Sequence, residues 1–308
     1  NCESHAGEHV MPAFWHWFVA VGTILFIIWC IWLIGWSSKQ GPAGKSDEEV
    51  TGHKWDGDLE EWNNPAPKWW LYLYFITVFW AIGYLVAFPG LGNFEGMLGW
   101  SQEKQYEAEQ QAAAERFEPI YAGYAEMEFE ALAQDADAME LGASLYASYC
   151  TTCHGSDARG APGYPNLTDG NWIWGNGEQQ IVMTLKQGRN AIMPALGAAL
   201  GGDEGIDEMV NYVRSLSGQV EPGPAAAATQ SKFVALCSAC HGADGKGNQM
   251  LGAANLTDDV WLYGGSADDV RYTLVNGRNG VMPAHGELLG ENRTKILAAY
   301  VYSLGGGE

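Results

Sequence analysis

The pentapeptide CTTCH at residues 150–154 places two cysteines three positions apart and directly before a histidine, and it recurs as CSACH at residues 237–241. Two thiols at this spacing can each add to a vinyl group of one haem, and the adjacent imidazole can then coordinate the iron. The same spacing is found in redox-active disulfides and in half of a zinc site, so one copy alone leaves these alternatives open. A second copy in the same chain favours the attachment of two haems.

A methionine followed by a proline stands 39 residues after His154, at Met193, and 41 residues after His241, at Met282. A thioether is the common sixth ligand of electron-transfer cytochromes c, and it raises the reduction potential relative to a second histidine. The tripeptide GRN precedes each methionine by the same interval, and NLTD recurs with the same period of 89 residues. A repeat of this length indicates two tandem domains of one kind.

We therefore predict two covalently attached c-type haems, one in each repeat. The first would be held by thioether bonds to Cys150 and Cys153, with His154 and Met193 as the axial ligands of its iron. The corresponding residues of the second haem are Cys237, Cys240, His241 and Met282. Two strong-field axial ligands leave no open position on the iron, which favours electron transfer over catalysis. We expect no catalytic centre in this chain.

Several other side chains are weaker candidates for contact with the haems. Arg189 and Arg278 stand at matching positions and either contact haem propionates or are ordinary surface arginines. Trp172 and Trp261 also match, and we expect them to pack near a haem edge or in the core. The rival sixth ligands are Met183, Met209, Met250 and His285. Among these, Met209 is expected in a helix core, and His285 is the one serious competitor.

The repeats predict a first cytochrome c domain at residues 138–219, a proline- and alanine-rich linker at 220–228 and a second domain at 229–308. Apolar residues at helical spacing predict that the first domain opens with a helix over 140–149 and closes with one over 203–216. We expect these two helices to pack together. A domain of about eighty residues buries little surface, so a haem would complete its apolar core.

Two apolar runs, residues 14–36 and 69–88, are each long enough to cross a membrane. The loop between them, 37–68, carries four lysines, whereas residues 1–12 carry no lysine or arginine. The positive-inside rule therefore places this loop in the cytoplasm and both ends of the anchor outside. The fold predicted for residues 1–100 is a two-helix transmembrane hairpin.

Residues 101–137 are rich in glutamate, alanine and glutamine and predict an acidic helical arm, which Pro119 interrupts. A solvated spacer is the simplest interpretation of this arm. The complete predicted fold is mainly α, with a membrane anchor followed by two tandem class I cytochrome c domains.

The loop contains GHKWDG at 52–57 and NNPAPKWW at 63–70, with more tryptophan than a plain solvated loop needs. Together with the hairpin, the arm and the two haem motifs, it closely resembles the dihaem cytochrome c subunit, subunit III, of cbb3-type haem–copper oxidases. The resemblance covers essentially the whole chain, and the loop is its specific part. It implies a relay that takes electrons from a donor cytochrome c through two haems towards the oxygen-reducing catalytic subunit in aerobic respiration.

The resemblance also implies partners and a location. The partners would be the catalytic haem–copper subunit, a monohaem cytochrome c subunit, a soluble or membrane-bound cytochrome c donor and membrane lipid. The location would be the bacterial inner membrane with the haem domains on the periplasmic side, since c-type haem is attached outside the cytoplasm. The net charge of −21 argues against a nucleic-acid partner and suits either a basic protein partner or a soluble acidic surface.

Two other classes of function stay open. One is a stand-alone, membrane-anchored dihaem cytochrome c that shuttles electrons between respiratory complexes. The other is a dihaem peroxidase, which needs one haem with an open or displaceable ligand. The two Met-Pro sequences disfavour the peroxidase.

Overall fold

The computed structural model describes residues 11–38, 50–62 and 67–305. The fold is mainly helical and divides into two compact units, Asn1–Ala113 and Ala114–Glu308. The first unit contains two long apolar helices, and the second contains both haem motifs.

The two long helices of the first unit are α1, Ala13–Ser37, and α2, Lys68–Ala87. Their limits agree with the predicted apolar runs to within one residue. Among the described residues of these helices only Ala20 is buried, and large apolar side chains are exposed all around both of them. Both helices are long and apolar enough, by length and composition, to cross a membrane.

A hydrogen-bonded clasp joins the segment after α2 to the start of α1. The side-chain oxygen of Asn93 accepts from the backbone N–H of Met11 at 2.8 Å, and its amide donates to the Met11 carbonyl at 3.0 Å. The backbone N–H of Asn93 also donates to Nδ1 of His16 at 2.9 Å. The end of α2 and the start of α1 therefore lie on the same side of this unit.

The segment between α1 and α2 contains a β-hairpin that sequence reasoning treated only as a loop. Strands β1, Val50–Trp55, and β2, Leu59–Trp62, pair antiparallel, with Trp55 opposite Leu59. Asp56 and Gly57 take positive φ angles of 49° and 92° at the turn. An Asp-Gly pair between apolar residues is a strong hairpin signal, and it was the available clue. Trp55 is 62 % exposed on this hairpin.

The acidic arm is helix α3, Gln102–Ala125. The side-chain oxygen of Ser101 caps its start, accepting from the backbone N–H of Lys104 at 3.1 Å. The prediction that Pro119 interrupts the helix is wrong, because α3 continues through it. Proline removes one helical hydrogen bond, and contacts of the last turns of α3 with Arg293 and Lys295 offset that loss.

The last turns of α3 are docked, so the arm is not a solvated spacer over its whole length. Arg293 pairs with Glu118 and stacks over the ring of Tyr121, with 4.8 Å from its guanidinium carbon to the ring centroid. The ammonium of Lys295 donates to the carbonyls of Ala125 and Met127 at 2.9 and 2.7 Å. A lysine at this position satisfies carbonyls that a helix end leaves without partners.

The second unit is built from two similar runs of elements. The first run is α4, Phe129–Leu132, α5, Ala136–Tyr149, α6, Thr151–His154, α7, Glu178–Gln187, β3, Arg189–Met193, a 3₁₀ turn, Gly197–Leu200, and α8, Asp203–Leu216. The second run is α9, Ala226–Leu236, α10, Ser238–His241, α11, Ala267–Asn276, β4, Arg278–Met282, and α12, Gly286–Leu304. Gly290, at φ 71°, interrupts α12 and matches the position of Gly201 after the 3₁₀ turn.

The closing helices of the two runs are exchanged. Helix α12 packs against α5 and α7 of the first run, while α8 packs against α9 and α11 of the second. The prediction that the helices of each repeat pack on one another is therefore wrong. The predicted apolar stripe of α8 is buried as expected, but against the other repeat; its residues are Ile206, Met209, Val210 and Val213.

The repeat itself explains the error. Helices α8 and α12 both present an apolar stripe that can close a cytochrome core, so the stripes alone do not specify which half each helix covers. The direct pairing of β3 with β4 decides it, because each strand carries the chain across to the other half.

We expect the substitution Lys295→Met to loosen the docked end of α3. It leaves the two carbonyls without their ammonium donor and should cost about 1–3 kcal/mol of unfolding free energy. Thermal unfolding and hydrogen exchange of amides 121–127 measure the effect. Lys232→Met is the control, because the Lys232 ammonium lies 3.7 Å from Glu208 in a partly exposed ion pair and should change stability by less than about 0.5 kcal/mol. Equal effects from the two variants would contradict this role.

Candidate haem-binding sites

The two histidines are positioned in the same way. His154 ends α6 and is 8 % exposed, and its Nδ1 lies 3.0 Å from the carbonyl oxygen of Pro165. His241 ends α10, with Nδ1 2.8 Å from the carbonyl oxygen of Ala254. A ring nitrogen that faces a carbonyl must carry the proton, so Nε2 of each ring is left with its lone pair for a metal.

The turn after the first histidine is fixed by a buried tyrosine. The hydroxyl of Tyr146 donates to the carbonyl of Gly155 at 2.8 Å, and burial raises the pKa of Tyr146 to about 12. Phe233 occupies the matching position, four residues before Cys237, and is fully buried. The two sites therefore share one backbone plan but differ in this hydrogen bond.

No disulfide joins the four motif cysteines in the described part of the chain. Burial raises the pKa of Cys150 to about 11, with the neighbouring Cys153 adding to the shift, and burial also raises the pKa of Cys237. Thioether attachment ends with no charge on the sulfur, which suits the partly buried Cys150 and the buried Cys237, whereas Cys153 and Cys240 lie exposed.

The two methionines lie on one ribbon. Strands β3 and β4 pair antiparallel, with Arg189 opposite Met282 and Met193 opposite Arg278. Met282 packs against the apolar cluster that includes Cys150, and Met193 packs against the cluster that includes Cys237. This packing differs from the pairing predicted from chain order, which assigned Met193 to the first motif and Met282 to the second.

The register also sets the spacing of the methionines. Met193 lies four residues along the ribbon from the position opposite Met282. Four residues of antiparallel strand span about 14 Å. The two candidate ligands are therefore held at a fixed separation by backbone hydrogen bonds.

The glycine of each GRN tripeptide has two roles. Gly188 and Gly277 end α7 and α11 with φ angles of 70° and 72°, a region that residues with a Cβ rarely adopt. A Cβ on Gly188 would collide with the carbonyl oxygen of Met282, and one on Gly277 would collide with that of Met193. Each glycine thus allows close approach of the methionine strand from the other repeat.

The two arginines are held by their own repeats. Nε of Arg189 donates to Oγ1 of Thr184 at 2.8 Å, and its guanidinium lies 4.6 Å from the ring centroid of Trp174. Burial lowers the pKa of Arg189. In the second repeat Nε of Arg278 donates to Oγ1 of Thr273 at 2.9 Å. The propionate contacts expected of both arginines stay a prediction.

Two tryptophans connect the sites to a shared cavity. A cavity of about 550 Å³ is lined by residues of both halves, among them Trp172 and Trp261. Trp172 also packs against the first apolar cluster and Trp261 against the second, in agreement with the predicted core position. The buried Nε1 of Trp261 has no hydrogen-bond partner among the described residues. A haem carries carboxylates that such a donor could satisfy, so the residues present fit this cofactor.

The other candidate axial ligands differ in their burial. Met209 is completely buried in the core of α8, as predicted, whereas Met250 is 90 % exposed and Met183 lies exposed on α7. His285 precedes α12, and its buried Nδ1 has no partner in the described part of the chain. Met193 and Met282 each pack against one of the two motif-bearing clusters, although Met127 and Met139 also pack against the first.

Comparison with known proteins decides the family. The sequence model described as cytochrome c oxidase, cbb3-type, subunit III matches residues 137–213 and 224–301, and that of the N-terminal domain of cytochrome oxidase-cbb3, FixP, matches residues 47–95. The chain belongs to the cbb3-type cytochrome c oxidase subunit III family.

Curated relatives support this membership over nearly the full chain. A cbb3-type cytochrome c oxidase subunit CcoP of Rubrivivax gelatinosus is 41 % identical, over 94 % of this chain and 94 % of the relative. A subunit FixP of Azorhizobium caulinodans is 39 % identical, over 86 % and 96 %, and a CcoP of Cereibacter sphaeroides is 37 % identical, over 88 % and 98 %. For a subunit III family member, cytochrome c domains imply haem c, and the apolar N-terminal helix fits a membrane location.

Sequence reasoning missed the residues that join the two halves of this family member. Trp174 is pressed against Gly252, and Tyr263 lies against Gly163, so an aromatic ring of each repeat rests on a glycine of the other. Trp174 and Tyr263 occupy matching positions in the repeat, which was the available signal. Thr184 and Thr273 did appear in the repeat, but their bond to arginine was not predicted.

We expect Met282→Leu to act on the haem held by Cys150 and Cys153. In a chain whose second motif has both cysteines replaced by alanine, it should abolish the methionine-to-iron charge-transfer band and lower the reduction potential, because a thioether ligand is lost. Met193→Leu in the same chain is the control and should leave that band intact. Loss of the band with Met193→Leu instead would show that Met193, the methionine of the same repeat, is the ligand of this haem.

Gly188→Ala should displace Met282 by backbone collision. Gly218→Ala is a matched control, since Gly218 has a similar φ of 73° but nothing within 4 Å of an added Cβ. Both variants should lose about 1–3 kcal/mol from backbone strain, and only Gly188→Ala should weaken the methionine-to-iron band. Chemical denaturation and near-infrared absorption of the oxidised protein measure the two effects. If the methionine-to-iron band were unchanged in both variants, an added Cβ at residue 188 would not displace Met282.

Proposed function

We propose that this chain is the electron-relay subunit of a cbb3-type cytochrome c oxidase, taking electrons from a donor cytochrome c and passing them through two haems towards the catalytic subunit. The observation that carries the proposal is a pair of matched sites, each with two cysteines and a histidine of fixed tautomer, whose candidate methionines lie together on one ribbon. Family membership and the names of the relatives support the assignment to the oxidase.

The proposed ligand sets follow the packing. Cys150 and Cys153 would hold one haem c through thioether bonds, with His154 and Met282 on the two faces of its iron. The residues of the second site would be Cys237, Cys240, His241 and Met193. A haem with both faces ligated accepts and donates one electron and leaves no position for oxygen or peroxide.

Residues of the chain orient the two histidine rings and bury one side of each site. The carbonyls of Pro165 and Ala254 keep the protons on Nδ1 of the two histidines, which directs Nε2 to the iron. The exchanged helices α8 and α12 bury the apolar side of each site. A rigid ligand on each face limits the rearrangement that accompanies a change of iron charge.

We also propose that α1 and α2 form a transmembrane hairpin whose connecting segment is cytoplasmic. The clasp between Asn93 and the start of α1 supports a hairpin, and the four lysines of the connecting segment support the orientation. The haem domains at 138–219 and 229–308 would then lie in the periplasm of the bacterial inner membrane. The acidic arm and linker would join these parts.

The membrane part is proposed to dock on the catalytic subunit, with a monohaem cytochrome c subunit as a further partner. The exposed Trp55 of the β-hairpin offers a large aromatic surface of the kind that anchors interfaces. The acidic surface of the chain, with net charge −21, would attract a basic cytochrome donor.

Purification from membranes in mild detergent tests the oxidase assignment. We expect the chain to co-purify with a haem–copper subunit and to carry two haems c per chain in a pyridine haemochrome assay. A stand-alone dihaem cytochrome would purify without that subunit. Carbon monoxide binding to the reduced chain on its own would support a peroxidase-like site and contradict the relay.

Trp55→Ala should weaken the association of the chain with the catalytic subunit by about 1–3 kcal/mol, because truncation of a buried interfacial aromatic removes a large contact area. Native gel electrophoresis across a detergent series measures the retained fraction. Asp58→Ala, in the exposed turn of the same hairpin, is the control and should leave the complex intact. Equal retention of the Trp55 variant and wild type would argue that the hairpin does not dock there.

A further inference from the structure

The cross-strand partners of the two methionines are the two arginines. Arg189 stands opposite Met282, and Arg278 stands opposite Met193. Burial alternates along both strands, so each arginine and the methionine opposite it share the more buried face of the ribbon. Directly opposite residues on one face have Cβ atoms about 4.5–5.5 Å apart. The Cβ atom of each arginine therefore lies next to that of the methionine from the other repeat.

Arg189 is held by three contacts within its own repeat. Besides its bond to Thr184, Arg189 donates through Nη2 to the carbonyl of Gln180 at 3.2 Å and stacks on Trp174. Trp174 is itself pressed against Gly252 of the second repeat, whose φ of 66° and lack of a Cβ permit the contact. The cation is thus held by its own repeat, and its stacking ring is wedged against the other.

We propose that each arginine is a positioning residue for the methionine opposite it, so that Arg189 acts on the haem of Cys150 through Met282 and Arg278 acts on the haem of Cys237 through Met193. This inference rests on the proposed haem ligation. The arginine limits the rotation of the methionine side chain, and its fixed positive charge favours the reduced iron, which carries one positive charge less. Partial burial strengthens the charge effect, because water screens it less than it would at the surface.

The two arginines are not held equally. The guanidinium of Arg278 lies 4.5 Å from the ring centroids of both Tyr263 and Tyr272. Met183 occupies the position in α7 that matches Tyr272 in α11, so among the described residues Arg189 stacks on one aromatic ring, that of Trp174. This asymmetry gives the two sites different methionine environments on otherwise matching backbones.

The test uses the full chain in its oxidase complex and compares Arg189→Gln with Arg278→Gln. Spectroelectrochemistry gives the midpoint potential of each haem, and the upfield methyl resonances of the ligand methionines report their orientation in the reduced protein. The two methionine variants above assign each signal to a haem. Arg189→Gln should lower the equilibrium constant for reduction of the Cys150 haem about tenfold, which is about 59 mV for one electron. The other haem should change less than about twofold, and Arg278→Gln should give the reverse pattern.

Three further variants separate positioning from a merely structural effect. Arg189→Lys keeps the charge and should restore most of the potential. Trp174→Leu keeps the arginine but removes its stack, and should move the Met282 methyl resonance with a smaller change of potential. Ile192→Thr, on the exposed face of the same ribbon where Ile192 is 68 % exposed, should change neither.

Two results would overturn the inference. One is a chain with Arg189→Gln that keeps two haems and wild-type potentials, or that shifts only the Cys237 haem. The other is a shift in potential with an unmoved methionine resonance and an altered pH dependence, which would assign the arginine to a haem carboxylate. Neither result touches the electron-relay proposal, which would fail instead if the wild-type chain lacked two c-type haems.

Discussion

The backbone pairing of β3 with β4 is the constraint on which the rest of the haem-bearing unit depends. Five residue pairs fix the register, and that register places each methionine beside the half of the molecule that it did not come from. The glycines that end α7 and α11 allow the opposite strand to approach closely. Once the strands are paired in this way, the chain that follows each strand must continue into the other half.

The exchange of α8 and α12 follows from that pairing and makes the two halves interdependent. Each apolar core contains helices from both repeats, so neither sequence repeat contains a complete core of its own. Small domains bury too little surface to be comfortably stable, and shared helices together with an apolar cofactor offset this deficit. The same pairing holds the two methionine positions at a fixed separation, which suits a chain that hands electrons from one site to the next.

Much of this could be predicted from sequence, because the decisive signals are local. The cysteine spacing, the histidine that follows it and the apolar lengths of α1 and α2 each depend on a few neighbouring residues. The closing helix α8 was predicted with its correct limits and buried face. Local patterns could not decide which half α8 covers, because α12 offers an equivalent face and the choice is made by strand pairing across 89 residues. The Asp56-Gly57 hairpin and the helical Pro119 show two smaller limits: an overlooked turn signal, and a helix kept intact by tertiary contacts.

The most direct test of this account is an experimental density map of the haem-loaded oxidase complex, read at the two irons. We expect the iron bound through Cys150 and Cys153 to be coordinated by the Met282 sulfur, and the iron bound through Cys237 and Cys240 by the Met193 sulfur. Density that joins Met193 to the first iron and Met282 to the second would contradict it.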